Sequence, residues 1–146
     1  MLKKSNASTI RFAEVVSNAV LLNLPDWFTQ GLVAYAGKEW NTDYENKLRD
    51  GILSGEYRDL SKLAPEEMEF VGHSIWNYIE EKQGTEAIPN LLYLARVNRS
   101  LDRAFVFVSG NGLDSFLEEW YYHYKERFEL EEENLTAVDE DAFIAY

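Results

Sequence analysis

The only imidazoles in the chain are His73 and His123, and no cysteine accompanies them. A cysteine nucleophile, a Cys-based zinc site and a disulfide framework are therefore excluded. A zinc hydrolase commonly carries His-Glu-x-x-His, which sets two imidazoles one turn apart on one helix face. The sequence does not contain that spacing. His73 stands in Gly72-His-Ser-Ile-Trp76, where Gly72 permits close packing and Ser74 is a polar neighbour, so His73 and Ser74 are the polar-site candidates. The simpler reading, a hydrogen-bonded histidine inside a helix with no chemistry of its own, is preferred. His123, between Tyr122 and Tyr124, is expected on an exposed helix flank. The carboxylate pairs Glu66/Glu67 and Glu118/Glu119 are adjacent in sequence, so on a helix they diverge and read as solvated faces. Gly110-Asn-Gly112 is a turn signal, and no P-loop, nucleophile elbow or dinucleotide fingerprint occurs. Three Asn-x-Ser/Thr triplets, at Asn6, Asn98 and Asn134, matter only in a glycosylating host.

The elements that must hold such groups come from a chain of 146 residues, 46% hydrophobic and 27% charged, which is globular composition and fits one domain. Four Trp, nine Tyr and eight Phe favour a tightly packed core or a large buried contact surface. The net charge of −12 and the absence of a clustered excess of Lys and Arg argue against nucleic acid. Residues 126–146 hold eight acids against Arg127 alone, so the tail carries −7 and the first 125 residues −5. No apolar stretch is long enough to span a bilayer, and Met1-Leu-Lys-Lys-Ser-Asn6 leads into no signal-peptide core.

Helical punctuation recurs from end to end, and the expected fold class is all-α, an irregular bundle of about six to seven helices. A first helix is expected over Thr9–Leu22, with Ile10, Ala13, Val16 and Val20 at helical spacing. Pro25 opens a second, carrying Trp27, Phe28, Leu32 and Tyr35 and stopping at Gly37. Thr42-Asp-Tyr-Glu45 reads as a capping box opening a third that reaches Ser54 and stops at Gly55. Pro65-Glu-Glu67 opens the fourth, ending at Gly84; a fifth runs from near Thr85 to about Asn98. Ser100 caps a short piece over Leu101–Val108, whose run Phe105-Val-Phe-Val108 is the most strand-like stretch of the chain. The last helix carries Leu113, Phe116, Leu117, Trp120, Tyr121, Tyr124 and Phe128 on one stripe, read as core rather than docking platform. The division expected is a helical domain over 1–130 and an acidic tail or linker over 131–146. Ala142-Phe-Ile-Ala-Tyr146 reads as the first strand of a further unit.

Residues 22–37 read Leu-Asn-Leu-Pro-Asp-Trp-Phe-Thr-Gln-Gly-Leu-Val-Ala-Tyr-Ala-Gly. This resembles the gluzincin metallopeptidases of the peptidase-MA-like type, in which Pro-x-Trp-x-x-Glu-Gly-Leu-Ala-x-Tyr follows His-Glu-x-x-His. The likeness extends through Gly72 to Ile79, Gly84, Ile88, Leu91-Leu92, Ala104-Phe105, Gly110 and Phe116 to Trp120, about residues 20–125 in all. In particular the chain looks like the helical segment of large envelope proteins in which such a domain precedes a TolB-like β-propeller. The resemblance implies that Pro25, Trp27, Gly31 and Tyr35 pack as in that fold. It also implies that position 30 is the third zinc ligand of the family, and here it is Gln30. A neutral amide replaces poorly the charge and strong oxygen donor of a carboxylate. Among this chain's histidines, His73 is the one considered for the family's oxyanion-steadying role.

These readings point to a non-catalytic helical scaffold or protein-interaction domain, a degenerate zinc-peptidase-like fragment of a larger envelope protein, with no cofactor. The alternative is part of an active zinc-dependent peptidase whose His-Glu-x-x-His segment lies upstream. Periplasmic or cell-envelope location is implied by the resemblance alone. The expected partner is another protein or the remainder of a parent chain, with no nucleic acid and no membrane span. In isolation a homodimer is expected through the first helix, where Val15, Val16, Val20, Leu21 and Leu22 are apolar nearly all round.

Overall fold

A computed structural model of the chain describes residues 24–144, with side chains as far as Val138. The first helix expected over Thr9–Leu22, and the dimer surface assigned to it, lie outside the described residues. The described residues form six α-helices: α1 (Asp26–Gly37), α2 (Thr42–Leu53), α3 (Pro65–Gln83), α4 (Ala87–Asn98), α5 (Leu101–Ser109) and α6 (Leu113–Ile144). Two 3₁₀ turns, Glu56–Arg58 and Leu60–Lys62, join α2 to α3, and no strand occurs among the described residues. The fold is an all-α irregular bundle.

Each helix boundary has a local cause. Pro25 caps α1 from just outside its first turn, and its carbonyl accepts from the N–H groups of Phe28 at 3.0 Å and Thr29 at 3.3 Å. α2 is capped by Asn41, whose Oδ1 accepts from Tyr44 N at 2.9 Å. The box expected from Thr42 and Glu45 does not form: Asn41 precedes Thr42 and takes the cap. Glu45 instead accepts from Trp40 Nε1 at 3.3 Å and pairs with Arg127. α2 ends where Gly55 turns left-handed (φ 82°), a conformation that costs glycine nothing. α3 begins at Pro65 and is held by Glu67, whose Oε1 reaches back to the Ala64 N–H at 2.9 Å. The strand-like run at Phe105–Val108 is helical, because Leu101, Ala104 and Phe105 at helical spacing are the residues that bury, while Val106 and Phe107 stay exposed.

The core lies between α3 and the helices around it. α1 packs along α3, α4 and α5 form a hairpin, and α6 crosses α2, α3 and α5. Phe116, Trp120, Tyr121, Tyr124 and Phe128 of α6 are all buried, so the aromatic stripe is core. α6 does not stop near Phe128. It runs on to Ile144, so the expected strand over Ala142–Tyr146 is replaced by helix as far as Ile144, and the acidic segment from Glu131 continues α6. The reason is visible in the sequence: after Gly112 the chain has no Gly or Pro, and Glu, Leu and Ala are good helix formers. At 1.5 Å per residue, α6 is roughly 48 Å long.

Candidate functional site

The residues singled out by the sequence converge where α1 crosses α3. Trp27, Gly31 and Tyr35 recur every four residues and so lie on one face of α1. Trp27 and Gly31 are buried there, and Pro25 and Tyr35 are half-buried. The two backbones touch: a methyl group on Gly31 would lie 2.4 Å from the Gly72 Cα, and one on Gly72 would lie 2.1 Å from the Trp27 carbonyl oxygen. Trp76 Nε1 donates to the Phe28 carbonyl at 3.0 Å, and the Phe28 and Trp76 rings sit 4.7 Å apart. At the far end of the crossing, the Tyr35 hydroxyl donates to Glu80 Oε2 at 2.5 Å. Burial, reinforced by this hydrogen bond, pushes the Tyr35 phenol well above its ordinary value. The crossing is a packed seam.

His73 and Ser74 sit on α3 beside this seam, and both are buried. The His73 ring stands among Trp40, Tyr35 and Tyr44, at centroid distances of 5.2, 5.9 and 6.4 Å, with the Trp40 and Tyr35 rings edge-on. The Ser74 hydroxyl points elsewhere. It donates to the Val71 carbonyl at 2.6 Å and accepts from Trp120 Nε1 at 3.1 Å, tying α3 to α6. The two polar candidates are therefore sequence neighbours with separate surroundings, and Ser74 is committed to packing. Gln30, one position from Gly31, is exposed.

His123 is not on an open flank, as its sequence position suggested. It packs 4.9 Å from the Tyr78 ring, with Nε2 3.7 Å from Glu81 Oε2. Burial holds its imidazole below the ordinary histidine value despite the opposing pull of Glu81. Among the described residues, no group of three His, Cys, Asp or Glu side chains is placed to hold a metal ion. No helix among them is long and apolar enough to cross a membrane.

A feature the sequence did not reveal lies between the 3₁₀ turns and the start of α6. This open cleft of about 400 Å³ is lined by Tyr57, Arg58, Leu60, Asp114, Glu118 and Tyr122, among others. The Arg58 guanidinium donates to the Tyr122 hydroxyl at 2.9 Å and lies 5.5 Å over the Tyr121 ring. Arg58 belongs to a three-residue turn with no periodicity, so nothing in the sequence marked it. The one legible signal was Tyr121-Tyr122, whose second ring had to face away from the core stripe.

Midway along α6, charged groups close the core. Arg127 pairs with Glu45 at 2.6 Å and with Glu131 at 3.6 Å, and Arg49 pairs with Glu131 at 3.1 Å. Both guanidiniums lie over Phe128, at 5.1 Å for Arg49 and 5.0 Å for Arg127. Comparison with family models, with curated proteins and with solved structures finds no match. The functional reading therefore rests on the geometry above and on the resemblance read from the sequence.

Proposed function

We propose that this chain is a non-catalytic helical scaffold or protein-interaction domain, a degenerate zinc-peptidase-like segment of a larger envelope protein. The observation that carries this reading is the double commitment of Ser74, fully buried between the Val71 carbonyl and the Trp120 indole. A serine so placed has no free proton and no open side for a substrate, since a nucleophile must be reachable and paired with a base. The neighbouring seam supports the same conclusion. Gly31 and Gly72 lie in backbone contact, and a pocket cannot open there without separating α1 from α3. Gln30, at the position where the resembled family places its third zinc ligand, points a neutral amide at solvent. What the arrangement does well is hold long helices in fixed register and present their outer faces. The chain, assayed against a mixed peptide panel with and without added zinc, is expected to cleave no peptide above the blank. Zinc-dependent cleavage that survives repurification would overturn the reading.

A further inference from the structure

The face of α6 that builds the core does not end where the core ends. Trp120, Tyr124 and Phe128 are buried on one stripe, and the next positions on that stripe at spacings of three and four are Glu131, Leu135 and Val138. Glu131 is the rim residue paired with Arg49 and Arg127. Beyond it the same face carries apolar side chains that no other described element covers: Leu135 is 65% exposed and Val138 63%. From Glu129 to Ile144 the helix carries seven acids and no basic residue, and this is also the end where the helix dipole is negative.

We infer that the distal part of α6, residues 129–144, is a docking helix whose occupant is a basic amphipathic helix of a protein partner. The partner's apolar stripe covers Leu135 and Val138, and its Lys or Arg residues face Glu132, which flanks that stripe. The inference rests on the interaction-domain reading and deepens it by naming the partner's chemistry. Charge decides between occupants. A second copy would bring another seven acids against the first seven whether it ran parallel or antiparallel, and like charges in register oppose pairing. A purely apolar partner would leave the acids beside its own uncharged surface without compensation. A basic amphipathic helix satisfies both the stripe and the field, in the helix-on-helix mode where anchors recur at three and four residues.

The test uses the full chain and three designed helical peptides of equal length: one with a leucine stripe and lysine flanks, one with the same stripe and glutamate flanks, and one with the lysine composition scrambled. Binding is read by fluorescence anisotropy at low and high salt. The lysine-flanked amphipathic peptide is expected to bind at least about tenfold tighter than either control and to weaken as salt rises. The double variant Leu135→Ala, Val138→Ala is expected to lose about tenfold for that peptide while circular dichroism shows the helix retained. Glu132→Lys, on the flank of the stripe, is expected to weaken binding of the same peptide and to reduce its salt dependence. Equal binding of the glutamate-flanked peptide would overturn the partner's chemistry and leave an interaction face standing. Equal binding of the scrambled peptide would overturn the docking face in favour of bare charge. No binding of any peptide would overturn both for this face, and a sedimenting dimer abolished by Leu135→Ala, Val138→Ala would replace the basic partner with a second copy.

Discussion

Gly31 and Gly72 meet backbone to backbone, with no side chain of either between them, and this contact sets the distance between α1 and α3. A methyl group on Gly72 would lie 2.1 Å from the Trp27 carbonyl oxygen and 2.7 Å from the Gly31 Cα. Both obstacles are main chain, so neither can swing aside as a flexible side chain would. Gly72→Ala is therefore expected to destabilise the fold by about 2–3 kcal/mol, at the upper end of the cost of overpacking a core. Urea unfolding of the variant, read at its midpoint, checks this. A shift corresponding to less than about 0.5 kcal/mol would mean that the helices separate freely.

Ser74→Ala removes the acceptor for the Trp120 indole N–H in a place water does not reach. Leaving one buried donor unsatisfied costs roughly 1–3 kcal/mol. The double variant Ser74→Ala, Trp120→Phe removes donor and acceptor together, and a double-mutant cycle is expected to show a coupling of about 1 kcal/mol. Additive single costs would contradict the bond's role.

Arg99 ends α4 in the left-handed region (φ 51°), the only described residue other than glycine to do so. The side chain pays about 1–2 kcal/mol for that conformation. Arg99→Gly relieves it but gives the unfolded chain more freedom, so the net gain expected is about 0.5–1 kcal/mol, seen as a raised thermal midpoint. A lowered midpoint would show that the guanidinium makes contacts that outweigh the backbone strain.

Stability is expected to fall at both ends of the pH scale, for opposite reasons. Burial holds Tyr124 neutral and pushes its phenol from 10.0 up to about 12. Between those values the folded state keeps a proton that the unfolded state has released, so stability drops as pH rises through that window, by roughly 2–3 kcal/mol for this residue. His123 runs the other way. Its folded-state value is lowered, so its contribution is present above the ordinary histidine value and is lost as pH falls below it. His123→Gln is expected to flatten the stability profile between about pH 7 and 5, where few other side chains titrate. An unchanged slope would assign the acid-side loss to other groups.

How much of this was legible depended on whether a feature was periodic or positional. Gly55, Gly84 and Gly110 all take positive φ at helix ends, and each stands in the sequence where a helical stretch is expected to stop. The stripe from Leu113 to Phe128 could be read as core because its spacing matched one helix face. The α2 cap was misplaced by one residue because Asn41 and Thr42 are both good capping residues, and only the backbone angle at Asn41 decides between them. The length of α6 was missed because acidic composition was read as a tail, although no breaker follows Gly112. The site was least visible. Gly72 stands out in the sequence as permitting close packing and Gly31 as a packing position of the resembled motif, but nothing in one sequence says that they meet each other. Gly51 hides a similar relation. A methyl group there would fall 2.0 Å from the Tyr57 ring, so the glycine makes room for a side chain arriving from the following turn.

The most direct measurement is the zinc content of the purified chain after dialysis against buffered zinc and then against metal-free buffer. The expected result is far less than one zinc per chain, with no change in thermal midpoint on zinc addition and none on introducing Gln30→Glu. One zinc per chain, retained through dialysis and raising the midpoint, would contradict the assignment of this helical bundle as a non-catalytic scaffold.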